Sequence, residues 1–250
     1  MGIITHVNDK AIPNDRSTAL LTDKYELTML QAALRDGSAN RQVTCEVFSR
    51  RLPNERRYGV VAGTDRVLRA VEDFRFSPEQ LEQMDFLDED TRQYLRDWRF
   101  SGQIDGYREG ELYFPNSPIL TVRGTFGECV VLETIVLSIL NADSAVASAA
   151  SRMVTAADGR PILEMGSRRT HEYAAVTAAR AAYLAGFTAT SNLEAGFRYG
   201  IPVPLSILCG FAVGGIIGYV NGFLVARIKL PPFIVTLGMW QIVLAANFLF

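Results

Sequence analysis

The chain has 250 residues, 27 acidic against 25 basic, and a mean hydropathy near zero, which allows one large domain or two smaller ones. A net charge of −2 with both signs interspersed excludes the basic footprint of a nucleic-acid binder. The averages conceal a break. Every acidic residue lies at or before Glu194, and from Val203 to Phe250 the charged residues are Arg227 and Lys229.

The cysteines, Cys45, Cys129 and Cys209, are odd in number and far apart, so neither a disulfide framework nor a zinc spacing can be built from them. His6 and His171 do not complete a metal cluster, and no metal-ligand set is expected. Met1 to Lys10 lacks the apolar core of a secretion signal. These features predict a cytoplasmic, reducing setting for the first 203 residues.

In chain order, Met1 to Thr18 is polar and reads as a loose arm. Asp23-x-x-Glu26 has the form of a capping box, and Tyr25, Met29, Leu30, Ala33 and Leu34 share one face of the helix it opens, with Gly37 as the stop. Val43 to Phe48 predicts a strand, and Val67, Leu68, Val71 and Phe74 a second helix. Ser77-Pro78-Glu79-Gln80 is a strong helix start, with Ser as cap and Pro at the first position. Gln103 to Tyr107 and Glu111 to Phe114 predict short strands around a turn at Arg108-Glu109-Gly110, and a strand at Ile119 to Arg123 follows Pro118.

From Glu128 the texture changes. Glu128 to Asn141 and Ser144 to Ala157 predict two apolar helices, Pro161 to Met165 a short buried strand, and His171 to Ala185 an Ala-rich helix ended by Gly186. Phe187 to Thr190 is another strand, Asn192 to Tyr199 a short helix, and Ile201-Pro202-Val203 starts one more strand. Strand and helix alternating at this spacing predict parallel βαβ units, whose chemistry sits at the C-terminal ends of the strands.

Two segments occupy such ends. Gly166-Ser167-Arg168-Arg169 supplies two guanidiniums suited to phosphate or carboxylate, and Ser191-Asn192 puts a hydroxyl and backbone N–H groups at a helix start. The same residues would also serve as surface ion pairs and a helix cap.

These segments resemble the nicotinate phosphoribosyltransferase family. Leu20-Leu21-Thr22-Asp23-Lys24-Tyr25-Glu26-Leu27-Thr28-Met29 is similar to its N-terminal signature, Glu164-Met165-Gly166-Ser167-Arg168-Arg169-Thr170-His171 to its first barrel motif, and Gly186-Phe187-Thr188-Ala189-Thr190-Ser191-Asn192-Leu193-Glu194-Ala195 to its second. The resemblance implies ATP-coupled joining of nicotinate to phosphoribosyl pyrophosphate, giving nicotinate mononucleotide for NAD synthesis, with Mg2+ on the pyrophosphate and a homodimeric enzyme. It implies that Tyr25 stacks on the nicotinate ring of the neighbouring subunit and that Arg168 and Arg169 hold phosphate groups. It places Thr190, Ser191 and Asn192 beside the nicotinate carboxylate, and Met165 where a stacking partner for the ring would stand. His171 is expected to be exposed or supporting, not catalytic.

The resemblance stops near Val203. The family's next motif, carrying the histidine phosphorylated by ATP, should follow Ile201, yet no histidine occurs after His171, so no catalytic residue is assigned and little or no turnover is expected. Pro204 to Ala226 and Phe233 to Phe250 are instead apolar runs of membrane-spanning type, with Gly210, Gly214, Gly215, Gly218 and Gly222 forming a small-residue face. Ile217-Gly218-Tyr219-Val220-Asn221-Gly222 and Leu230-Pro231-Pro232-Phe233-Ile234-Val235-Thr236-Leu237-Gly238 resemble ribose-type sugar ABC transporter permeases. Arg227 and Lys229 favour a cytoplasmic loop between the spans, which would put the first 202 residues outside, against the enzyme reading.

The expected architecture is therefore α/β: an N-terminal α+β domain (1–125), an incomplete parallel α/β barrel (126–203) and a hydrophobic helical hairpin resembling transmembrane segments (204–250). A membrane transport fragment with a degenerate soluble extension, or a non-catalytic nicotinate- or phosphate-binding module, would fit the same residues.

Overall fold

The computed structural model describes residues 17–53, 55–203 and 206–249, with the backbone alone for 206–213 and 244–249. The expected arm at Met1 to Thr18, with His6, lies almost wholly outside the described residues. The chain divides into two compact units, Met1–Val203 and Pro204–Phe250. In chain order the first unit runs α1 (Lys24–Asp36), β1 (Gln42–Phe48), β2 (Gly59–Val60), α2 (Thr64–Glu72), α3 (Pro78–Glu82), α4 (Glu89–Asp97), β3 (Gln103–Gly106), β4 (Leu112–Tyr113) and β5 (Pro118–Thr125). It continues with α5 (Phe126–Val130), α6 (Glu133–Ala157), β6 (Leu163–Glu164), α7 (Glu172–Leu184), β7 (Ala189–Thr190) and α8 (Leu193–Tyr199).

Local chemistry sets most of these boundaries. The Glu26 carboxylate accepts the Asp23 N–H at 3.3 Å, as the capping box predicts, and its other oxygen accepts the Thr134 N–H at 2.7 Å. Glu26 is fully buried, so one carboxylate caps α1 and fastens it to the first turn of α6. Gly37 ends α1 in the left-handed region at φ 78°. Ser77 and Gln80 cap each other's backbone at the start of α3, with distances of 3.3 and 3.0 Å.

β5 is the middle strand of an antiparallel sheet ordered β1-β5-β3, and β2 and β4 form a second small antiparallel pair. Ile119, Leu120 and Val122 of β5 turn into a core with Leu30, Phe74 and Leu95. Phe74 packs on the Trp98 indole with ring centroids 4.8 Å apart.

Four expectations need correcting. Glu128–Asn141 and Ser144–Ala157 are not two helices: α6 runs unbroken through Ala142 and Asp143, preceded by the short α5. No Gly or Pro interrupts it there, and the apparent polar break at Asp143 is a buried carboxylate paired with Arg66 at 2.7 Å. Helix α4 was not anticipated; Asp88 caps it by accepting the Thr91 N–H at 3.0 Å. The strands expected at 161–165 and 187–190 shrink to the two-residue β6 and β7. Ile201–Val203 forms no strand, although the Pro202 carbonyl accepts the Thr190 N–H at 3.0 Å; Pro202 has no N–H with which to extend a ladder.

The second unit consists of α9 (Ser206–Ala226) and α10 (Pro232–Leu249), which pack on each other. The two helices are 21 and 18 residues long, and Gly214–Ala226 and Pro232–Val243 are the parts of them whose apolar side chains the structure describes. Among the described residues, a Cβ built at Gly214, Gly215, Gly218 or Gly222 would meet nothing within 4 Å. Among the described residues, the helix long and apolar enough to cross a membrane is α6, and half of its apolar window is buried, as in a core helix of a globular unit.

Candidate functional site

β6 and β7 pair in parallel, Leu163 opposite Ala189 and Glu164 opposite Thr190, with α7 as the crossover between them. The pairing sets the loop after β6 beside the loop after β7. In the first, the chain turns at Gly166, where a Cβ would lie 2.7 Å from Glu164 Oε1, into a single 3-10 turn at Ser167–Arg169 closed by Arg169 N–H to Gly166 O at 2.8 Å. Arg168 and Arg169 are exposed, and neither forms an ion pair with a described residue. His171 is the N-cap of α7, its Nδ1 accepting the Tyr173 N–H at 3.2 Å in an exposed position.

In the second loop Thr190 is fully buried and donates its hydroxyl to Glu164 Oε2 at 2.8 Å, while accepting the Asn192 N–H at 3.0 Å. Asn192, not Ser191, caps α8: its Oδ1 accepts the Ala195 N–H at 2.9 Å, and its Nδ2 donates to Ser167 Oγ at 3.0 Å. Ser191 donates its N–H to the Glu164 carbonyl at 2.9 Å, and its side chain is half-buried. Of the residues predicted to form the site, the structure thus joins Asn192 to the Gly166–Arg169 loop through Ser167, and Thr190 and Ser191 to Glu164 just before that loop.

Met165 is exposed beside this loop, with 66% of its surface accessible. Tyr25 stands apart on α1, 45% exposed, and no hydrogen bond, ion pair or ring contact links it to either loop. Partial desolvation raises the Tyr25 phenol above its ordinary value, a hydrogen bond with Thr134 opposes this, and the nearby Glu133 adds to it.

Two groups were missed by sequence reasoning. Glu164 entered only as part of a motif, yet it binds both loops. Arg108-Glu109-Gly110 read as a turn, but the largely covered side chain of Glu109 is the partner of buried Arg180, whose guanidinium meets both carboxylate oxygens at 2.9 and 2.7 Å. Glu109 also accepts the Gly63 N–H at 2.6 Å, and Asp143 receives Arg66 on both oxygens at 2.7 and 2.8 Å. Burial works against the Arg180 charge, but Glu109 outweighs it and raises the guanidinium above its ordinary value. For Asp143 burial dominates and raises the carboxyl, with Arg66 opposing. A lone arginine among alanines, at Ala178-Ala179-Arg180-Ala181-Ala182, is the sequence signal that could have flagged a buried pair.

Known proteins match both parts of the chain. Residues 20–141 match the nicotinate phosphoribosyltransferase N-terminal domain. Nicotinate phosphoribosyltransferase pncB1 of Mycobacterium tuberculosis is 68% identical over 190 residues, 76% of this chain and 42% of that protein. The crystal structure of human nicotinic acid phosphoribosyltransferase superposes with a TM-score of 0.69 at 31% identity, covering 73% of this chain and 38% of that one. The fructose import permease protein FrcC of Rhizobium meliloti is 72% identical over 54 residues, 22% of this chain and 15% of the permease. The chain spans about two fifths of the length of pncB1, at 42%.

Proposed function

From a chain whose N-terminal part belongs to the nicotinate phosphoribosyltransferase family and which is joined to permease-like sequence, we propose that the first unit carries nicotinate- and phosphate-binding machinery of NAD biosynthesis. Its substrates are nicotinate and phosphoribosyl pyrophosphate. Within it we assign 1–125 to an α+β domain and 126–203 to the opening of a parallel barrel.

The observation that carries this reading is the parallel register of β6 and β7, which sets two exposed guanidiniums beside a serine-bearing loop at one end of a βαβ unit. Arg168 and Arg169 hold phosphate groups. Ser191, backed by Thr190 and Asn192, offers its hydroxyl to the nicotinate carboxylate, and Met165 packs beside the ring. Tyr25, exposed on α1, serves a neighbouring subunit in a homodimer. An acidic group in place of Ser191 would repel the carboxylate.

Among the described residues no cluster of three His, Cys, Asp or Glu groups could hold a metal ion, so Mg2+ would come bound to the pyrophosphate. His171 lends its Nδ1 to the cap of α7, and permease-like residues stand where the family's histidine segment would follow. The chain's own contribution is positioning and charge: the arginines neutralise leaving phosphates while the second loop orients the ring. We therefore assign ligand binding with little or no turnover. Calorimetry with nicotinate mononucleotide tests it: binding lost on Arg168→Ala is expected, and absence of binding to the unaltered chain refutes the assignment.

A second reading is favoured by the permease match: residues 204–250 insert in a membrane. Fractionation of the expressed chain with membranes, resistant to carbonate extraction, is expected on this reading; recovery as a soluble dimer refutes it.

A further inference from the structure

We propose that Glu164 is the positioning residue of the strand-end site, holding both loops in one geometry without touching the substrate; this rests on the reading of those loops as the nicotinate and phosphate site. Glu164 Oε2 receives the buried Thr190 hydroxyl at 2.8 Å, and its backbone carbonyl receives the Ser191 N–H at 2.9 Å. Its other carboxylate oxygen receives the N–H of Gly166, at the start of the arginine turn. Asn192 closes the ring from the far side, its N–H on Thr190 Oγ1 at 3.0 Å and its Nδ2 on Ser167 Oγ at 3.0 Å. One side chain therefore bonds to each loop, and the two loops bond to each other.

The ring also decides which groups face a ligand. Thr190 spends its hydroxyl proton on Glu164, and Asn192 spends its carbonyl oxygen on the Ala195 N–H. Arg168, Arg169 and the Ser191 hydroxyl remain to meet anions. An ionised carboxylate accepts on both oxygens at once, as the Thr190 hydroxyl and the Gly166 N–H require. An amide in its place would turn its own N–H toward one of these donors. Gly166 belongs to the same device, since a Cβ there would come 2.7 Å from Glu164 Oε1.

The test uses the full chain with Glu164→Gln, Thr190→Val and Thr190→Ser, reading amide hydrogen exchange in 166–169 and 191–195 and, separately, affinity for nicotinate mononucleotide. Glu164→Gln and Thr190→Val should each speed exchange in both loops by about tenfold and weaken nucleotide binding by about tenfold, the effect of one lost hydrogen bond. Thr190→Ser, which keeps the hydroxyl, should restore both. Unchanged exchange in Glu164→Gln, exchange that rises equally in α1, or a Thr190→Ser variant as impaired as Thr190→Val overturns the proposal. Nucleotide affinity that stays constant while loop exchange rises overturns it too. If the unaltered chain binds no nucleotide, the functional reading fails, while loop exchange still decides the role of Glu164.

Discussion

Replacing Arg180 by methionine removes one half of the buried pair between α7 and the β3–β4 turn. Arg180 is 2% exposed and Glu109 9%, and their bidentate contact leaves Glu109 otherwise supported by the Gly63 N–H at 2.6 Å. Methionine fills a similar volume, so the loss is electrostatic: a carboxylate held out of water with one donor. Breaking a buried pair from one side costs about 3–5 kcal/mol, whereas removing both charges is far cheaper. Glu109→Gln combined with Arg180→Met keeps an oxygen for Gly63 and leaves no stranded charge. The pair should therefore show a coupling of at least ~2 kcal/mol in a double-mutant cycle. Urea unfolding of the full chain, followed by fluorescence of Trp98 in a Trp240→Phe background, isolates the first unit, because these are the two tryptophans of the chain and Trp98 is 3% exposed in the core. A cost below ~1 kcal/mol for Arg180→Met, or a double variant as costly as the sum of the singles, would refute the reasoning.

Two further outcomes follow from the same structure. Gly63→Ala should destabilise the unit by about 1–3 kcal/mol in the same unfolding assay, since φ is +100° and the added Cβ would meet Ile139 Cγ2 at 3.0 Å and Asp143 Cβ at 3.2 Å; a neutral result would mean that α2 and α6 separate freely there. Glu128 responds to acid. Burial alone would raise its carboxyl, but the Ser101 hydroxyl at 2.7 Å and N–H groups of Thr125 and Ser101 at 2.8 Å outweigh burial and hold it below its ordinary value. The unfolded chain therefore binds this proton first, so the stability Glu128 contributes is present above about pH 4.5 and is lost as the pH falls through the lower folded value. Unfolding titrations of Glu128→Gln should show a shallower acid slope; an unchanged slope contradicts the assignment.

Much of the framework was legible because it depends on near neighbours in sequence. Asp23 with Glu26, Ser77 with Gln80 and Gly37 each specify a helix end within one turn, and each stands where expected. The βαβ unit was legible from alternation, and with it the meeting of two strand-end loops. Less was legible where a partner lies far along the chain. Asp143 read as a break between helices because a carboxylate in an apolar run is costly unless paired, and its partner, Arg66, is 77 residues away. Glu109 looked like an ordinary turn residue until α7 delivered Arg180.

The candidate site divides along the same line. Sequence alone determined that two guanidiniums and a Thr-Ser-Asn segment sit at successive strand ends, and it located the break near residue 203 from charge alone, since charged residues all but vanish beyond it. Tertiary structure decided which atoms are free. It buried Thr190 on Glu164, spent Asn192 on a cap and a cross-loop bond, and left Arg168 and Arg169 without an ion pair among the described residues. A residue type announces which hydrogen bonds it can make; only the folded neighbours determine which of them are already made.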